Sequence, residues 1–307
     1  MSKPRSKVKD FAVFAVVRIV VCVLQALPRG GGEAFAHMLA WLAYRVDRRH
    51  RLVADENLHR AFAGLDPASR DRLVRKVYLH FCRLLVEMVM IPRKFHPNNW
   101  RRYVELPQGR QLVESLLSGR PLLLVTGHFG NWEMGGYALG LLGFQTYAIA
   151  RPIDNPYLDR FLRRFRERTG QTLITKRGAF DQVQSILGQG GVIATLADQD
   201  AGQRGVFVDF FGRPASTHKG IALLALEQQA QLLVLGTMRI AEPDRYAVVV
   251  TDVIDARDYA SRTDGVRALT QRYTSALERI VRQAPDQYFW LHRRWKHQPE
   301  ARGSRAA

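Results

Sequence analysis

The chain predicts an α/β protein: a mostly parallel, mixed sheet flanked by helices, preceded by an N-terminal membrane-associated helical section. Three observations carry that reading. From Pro107 onward, short apolar runs alternate with helical patterns, the βαβ rhythm of a parallel sheet. Residues 31–95 instead repeat their apolar positions at helical spacing throughout. Before them, Lys3, Arg5, Lys7 and Lys9 lead into a 17-residue apolar run, Phe11–Leu27.

That run makes a helix of ~26 Å, slightly short of a ~30 Å hydrocarbon core. Arg18, Cys22 and Gln25 interrupt it at i, i+4 and i+7, so they share one stripe. A signal peptide fits the charge order, but Leu27-Pro28-Arg29 makes a poor cleavage site. A spanning helix fits marginally. An interfacial or tilted anchor, its polar stripe turned to protein or headgroups, fits both the basic flank and the stripe. Residues 1–30 are therefore expected to form a membrane anchor helix. Pro28 and the glycines that follow end it, and further helices are expected over 33–46, 48–63 and 67–91. In the α/β part, strands are expected at 122–126, 146–150, 172–175, 192–197, 232–236 and 246–253, the last near an edge. Helices are expected at 130–142, 156–169, 179–189, 217–229 and 263–283. Residues 31–297 read as one domain, a helical section to 95 and an α/β core over 107–297, with 298–307 as a flexible tail.

Composition narrows the partners. At 307 residues and 47% apolar, the chain can bury a sizeable core. Its 46 Lys and Arg against 28 Asp and Glu give a net charge of +18, which points to an anionic partner. Nucleic acid finds no supporting motif here. Cys22 and Cys82 both lie in apolar surroundings and read as buried thiols.

The chemistry is expected where strand tips feed helix starts, the ligand edge of an α/β sheet. Pro121–Glu133 reads as strand, tight loop and helix start, with His128 and Glu133 at that loop. A histidine that titrates near neutrality, held by a carboxylate, can remove a proton from a hydroxyl. The same two residues could instead cap the helix and favour its dipole. Four more polar clusters stand at strand ends: Arg151–Pro156, Ala197-Asp198-Gln199-Asp200, Gly205–Gly212 with Phe207, Phe210 and Phe211, and Tyr288–Lys296. Each has a bland alternative: a turn at Arg151, a helix cap and loop acid at Asp198 and Asp200, core packing for the phenylalanines, a surface charge run at 292–296. Trp290 and Trp295 flank that last run and suggest a packed or interfacial place. The spacing His-x4-Glu lacks the two-histidine pattern of zinc hydrolases, and no Gly-x-Ser-x-Gly elbow is present.

Five blocks, His128-Phe-Gly-Asn-Trp-Glu133, Arg151-Pro-x-x-Asn-Pro156, Ala197-Asp-Gln-Asp200, Gly205-Val-Phe-Val-x-Phe-Phe-Gly212 and Trp290-x-His-Arg-Arg-Trp-Lys296, resemble in order those of the bacterial lipid A biosynthesis acyltransferases. These are membrane-bound members of the wider lysophospholipid acyltransferase superfamily. The resemblance spans roughly residues 10–297. It implies an O-acyltransferase that moves a fatty acyl chain from an acyl-carrier-protein or coenzyme A thioester to a hydroxyl of a phosphorylated lipid such as a lipid A precursor. It implies His128 as general base, Glu133 as its partner and Arg151 at the anionic substrate. Asn131, Asp198, Asp200, Arg293 and Arg294 are further expected to bind substrate, and neither metal nor cofactor is expected. The developing oxyanion needs donors, and the Gly130 helix start and Arg151 are the candidates. The implied partners are a lipid acceptor, the acyl donor and the membrane surface, and the implied place is the cytoplasmic side of the inner membrane. Four N-terminal cations favour a cytoplasmic N-terminus, so a spanning helix would carry the domain away from cytoplasmic donors. The helix is thus expected to lie in or dip into the inner leaflet, with a signal-anchor whose N-terminus lies outside as the less favoured alternative. Competing readings are an acyltransferase of another lysolipid or glycolipid, a non-catalytic anionic-lipid-binding protein, and an esterase or thioesterase.

Overall fold

A computed structural model describes residues 6–150, 152–168, 170–175, 179–241 and 244–299. Its helical section is α1 (Lys7–Ala26), α2 (Arg29–Val46), α3 (Arg48–Ala61) and α4 (Pro67–Lys94). The remainder runs β1 (Val104–Glu105), α5 (Gly109–Leu116), β2 (Leu122–Thr126), α6 (Trp132–Leu141), β3 (Thr146–Ala150), α7 (Pro156–Glu167) and β4 (Gln171–Thr175). It continues with α8 (Ala179–Gly188), β5 (Val192–Leu196), β6 (Val206–Phe210), β7 (Arg213–Thr217), α9 (Gly220–Glu227), β8 (Gln231–Ala241), β9 (Arg245–Asp255) and α10 (Gly265–Gln283).

Local chemistry sets most boundaries. Asp66 accepts from the Ser69 N–H and Pro67 occupies the first turn of α4, where its missing N–H costs nothing. Asn155 and Pro156 do the same for α7, and Asn131 accepts from the Met134 N–H to start α6. Seven strands form one sheet in the order β1-β9-β8-β2-β5-β3-β4. All pairs are parallel except β8 with β9. The expected mixed, mostly parallel sheet is therefore present. Its central strand β2 is buried along Leu122–Val125, as a strand covered on both faces must be.

Three details depart from the sequence reading. The two-residue β1 pairs outside β9 and takes the edge, so β9 is second in. Residues 206–217 form a hairpin, β6 with β7, so the helix expected from 217 begins only at Gly220. Its two-residue turn places Phe211 and Gly212 at φ 56° and 72°. Such turns normally take Asn-Gly. Here burial against Phe62 and Trp290, and a hydrogen bond from the Phe211 N–H to Glu278, hold a phenylalanine there. Cys82 is buried as expected, but Cys22 is exposed, although Arg18 and Gln25 of the same stripe meet neighbouring helices.

The helical section packs on the α/β part. Tyr44, Leu58, Val77 and Tyr78 share one core with Phe210, Phe211, Tyr288, Trp290 and Trp295. Asn57 donates to the carbonyls of Trp290 and His292, both at 2.7 Å. The helix α1 lies against α4 and α7: Val21 and Leu24 are buried, Leu24 beside Val86 and Met90, and the Asp10 carbonyl accepts from Asn155. Within its polar stripe, Gln25 donates to the Val89 carbonyl and Arg18 lies over the Phe161 ring. Among the described residues no helix is long and apolar enough to cross a membrane.

Candidate active site

Two neighbouring strand tips make the site. Strands β2 and β5 run parallel with Thr126 opposite Leu196, and the Ala197 N–H donates to the Thr126 carbonyl. Two residues beyond each strand end, His128 and Asp198 therefore emerge side by side at the carboxyl edge of the sheet. Asp198 grips the histidine twice: Oδ2 accepts from the His128 backbone N–H at 2.8 Å, and Oδ1 lies 2.9 Å from Nδ1 of the ring. A carboxylate at Nδ1 fixes the proton there and leaves the Nε2 lone pair as the base. Nε2 has no hydrogen-bond partner among the described residues. Burial alone would push the Asp198 carboxyl up; the hydrogen bonds from His128 and the nearby imidazoles outweigh it and hold the group at about 2. Asp198 is thus an anion at any working pH.

Aromatic rings wall the histidine. Trp132 meets it edge-on at 5.2 Å between centroids, Phe289 lies at 5.9 Å, and Phe81 touches both. All three are half-buried, so the approach to His128 is apolar.

The loop carrying the base is held rigidly. The Phe289 N–H donates to the His128 carbonyl, and the Gly130 N–H donates to the Gln287 carbonyl. Gly130 sits at φ 58°, and a Cβ there would lie 1.9 Å from the Thr237 carbonyl oxygen. Only glycine fits. From α4, His80 Nε2 donates to the Gly130 carbonyl at 3.1 Å. Burial, aided by the Arg239 charge, pushes His80 down to about 3, so it stands neutral under the loop. Beside it, Glu87 pairs with Arg239 at 2.5 Å and accepts from Asn131 at 2.8 Å.

The expected site residues separate into several places. Glu133 does not hold the ring. Its two oxygens take Arg166 of α7 at 3.0 and 2.5 Å, and Trp132 Nε1 donates to it at 3.2 Å. The role expected for it beside His128 falls to Asp198, because a residue five along is already inside α6, whereas the neighbouring strand delivers Asp198 directly. Asn131 is wholly buried as the α6 cap. Asp200 turns to His297 at 2.6 Å. Arg294 is buried, its two Nη atoms donating to the Ser216 carbonyl and to Thr217 Oγ1, which ties the C-terminal segment to the β6–β7 hairpin. Arg293 is exposed. Arg151 lies outside the described residues. The Gly130 N–H, expected as an oxyanion donor, is already given to Gln287. The start of α6 beside His128 keeps its positive helix end. Residues that sequence reasoning missed include Arg166, His80, Phe81 and Gln287, none of which has a local spacing signal relative to His128. Tyr288 is buried and His292 half-buried near Asp198; His292 Nε2 lies 3.2 Å from the Asp198 carbonyl, and burial pushes the Tyr288 hydroxyl well above its usual range.

Comparison with known proteins is consistent with this geometry. Residues 2–297 match the family described as bacterial lipid A biosynthesis acyltransferase. The chain is 27% identical over 272 residues to the lipid A biosynthesis lauroyltransferase of Escherichia coli K12, covering 87% of this chain and 86% of that protein. It is 25% identical over 260 residues to the palmitoleoyltransferase of the same organism, covering 84% and 82%. It is also 25% identical over 301 residues to a phosphatidylinositol mannoside acyltransferase of Mycolicibacterium smegmatis, covering 94% and 92%.

Proposed function

The chain belongs to the bacterial lipid A biosynthesis acyltransferase family, and from that premise we propose that His128 is the general base of an acyl transfer to a membrane glycolipid, with Asp198 holding it. The observation that carries the reading is the double grip of Asp198 on the backbone and ring of His128. The acceptor hydroxyl approaches Nε2 through the aromatic mouth. As its oxygen bonds to the thioester carbonyl carbon, its proton passes to Nε2 and the carbonyl electrons move onto oxygen. The resulting imidazolium faces a buried carboxylate anion, which stabilises it. When the tetrahedral intermediate collapses, the carbon–sulfur bond breaks and the thiolate recovers the proton from Nε2. The products are a lipid ester and a free thiol. The helix end of α6 and, by the family resemblance, Arg151 are the candidates to share the oxyanion charge.

The acyl donor in this reading is an acyl-carrier-protein or coenzyme A thioester, both anionic, matching a chain of net charge +18. The acceptor is a phosphorylated glycolipid, the class to which lipid A and phosphatidylinositol mannoside, named in the relatives, both belong. Membrane association is supported by two exposed apolar faces. Val16, Ile19, Val20 and Val23 line one side of α1, and Met38, Trp41 and Leu42 one side of α2. In this reading the surface faces the cytoplasmic side of the inner membrane, which the N-terminal cations support. The test is transfer of a labelled acyl group by purified full-length protein from each thioester to a lipid A precursor. Transfer that needs the lipid and disappears in His128→Ala is expected. Thioester loss at the same rate without lipid would instead mark a thioesterase.

A further inference from the structure

Away from His128, an open cleft of about 350 Å³ lies between α1 and α7. Its lining is Phe14 and Arg18 from α1 and Tyr157, Arg160, Phe161 and Arg164 from α7. Three guanidiniums thus share a cleft that, among the described residues, no carboxylate lines. Arg18 rests on the Phe161 ring, 4.9 Å from its centroid, while Arg160 and Arg164, one turn apart, enter no ion pair or hydrogen bond among the described residues. Elsewhere Arg75, Arg110, Arg257 and Arg272 each pair with an acid. Gathering three like charges without a counter-ion costs free energy unless an anion joins them.

We infer that this cleft binds the phosphate of an anionic membrane phospholipid, bridging α1 to α7. Planar guanidiniums match phosphate oxygens two at a time. The stacked rings of Phe14 and Tyr157 form an apolar wall, which suits the glycerol and upper acyl carbons of a lipid and offers nothing to free phosphate. Arg18 also borders the exposed Val16, Ile19, Val20 and Val23 stripe. With that stripe in the acyl region, the guanidiniums stand at headgroup depth. The inner face of α7 carries Arg166, which grips Glu133 beside the active-site loop. A lipid in the cleft therefore fixes the membrane helix to the same helix that braces the site. This inference is independent of the acyl-transfer chemistry, since none of the six lining residues touches His128.

The experiment is co-sedimentation of the full-length protein with phosphatidylcholine vesicles, with and without phosphatidic acid. Arg160→Gln/Arg164→Gln should weaken the phosphatidic-acid-dependent part of binding about tenfold or more. Arg160→Lys/Arg164→Lys, which keeps the charge and loses the fork, should also weaken it. Arg267→Gln/Arg279→Gln on α10, equal in charge change, should leave it within about threefold. Each variant is first checked for unchanged circular dichroism and melting. Equal loss in the α10 variant, or full binding by the lysine variant, would reduce the effect to bulk charge and overturn the site. Release by inorganic phosphate at concentrations comparable with the lipid would assign a free-anion site and overturn the lipid. Unchanged vesicle binding with loss of acyl-carrier-protein binding would assign the cleft to the carrier, and overturn it equally.

Discussion

The histidine that the sequence singles out is at the centre of the site, but its carboxylate partner is not the one that lies nearest in the chain. His128 was legible because a lone histidine follows a strongly apolar strand and precedes a helix start. Asp198 was legible only as one of several strand-end acids. Seventy residues separate the two, and only the parallel pairing of β2 with β5 joins them. Glu133 illustrates the converse: close spacing suggested a pair, yet its carboxylate faces Arg166 across to α7. Two predictions belong at this scale. Gly130→Ala should cost roughly 3 kcal/mol or more, because it meets both a left-handed φ and a carbonyl at 1.9 Å. Urea unfolding measures it, and a loss below ~1 kcal/mol would mean that the loop relaxes freely. Glu133→Gln and Arg166→Gln should be non-additive, with a coupling of about 1–3 kcal/mol in a double-mutant cycle of stability. Additive losses would show that the pair is not a unit.

At the scale of elements, alternating apolar runs revealed the strands and helices that form the sheet, because buried parallel strands need continuous apolar stretches. The two-residue β1 was too short for any periodicity, and the β6–β7 hairpin was hidden by a turn whose φ values depend on tertiary packing around Phe211. The helix α4 shows how an element far in sequence serves the site. It supplies His80 and Glu87 beneath the loop and Phe81 beside the base. His80 gives a pH signature. Its ordinary pKa is 6.5 and its folded value about 3, so between these the unfolded chain binds the extra proton. Stability must therefore fall as pH drops below about 6.5, by at most about 1.4 kcal/mol per unit from this group. His292, also depressed by burial, adds in the same direction. Asp198 acts only lower, since its stabilising effect is present above its unfolded value of 3.8 and is lost as pH falls through about 2. His80→Gln can still donate to the Gly130 carbonyl and should flatten the slope between about pH 6.5 and about pH 4. An unchanged slope in urea unfolding across that range would contradict a neutral, buried His80.

For the whole molecule, the sequence reading distinguishes a helical section and an α/β core within one domain, and the structure packs the two sections into a shared core through Asn57, Tyr78 and Trp290. Composition shifts along a chain do not report such packing. The helix α1 has two faces with different duties. Leu24→Ala on the inner face should destabilise by about 2–4 kcal/mol, because it opens a cavity against Val86 and Met90. Val16→Ser, Ile19→Ser and Val23→Ser together, on the outer face, should leave the melting temperature nearly unchanged and reduce recovery in the membrane fraction. If the outer-face triple variant fractionates like the parent, the membrane surface lies elsewhere. The central claim is the pairing of an acyl-transfer base with a carboxylate from the adjacent strand. Its most direct test is the rate of acyl transfer from thioester to lipid acceptor by full-length wild type, His128→Ala and Asp198→Asn, each shown to be folded. The account predicts that His128→Ala loses about 10²–10⁴ in kcat/KM. Asp198→Asn should lose a comparable factor, because an amide cannot hold Nδ1–H and stabilise the imidazolium. Near wild-type transfer by either variant would contradict it.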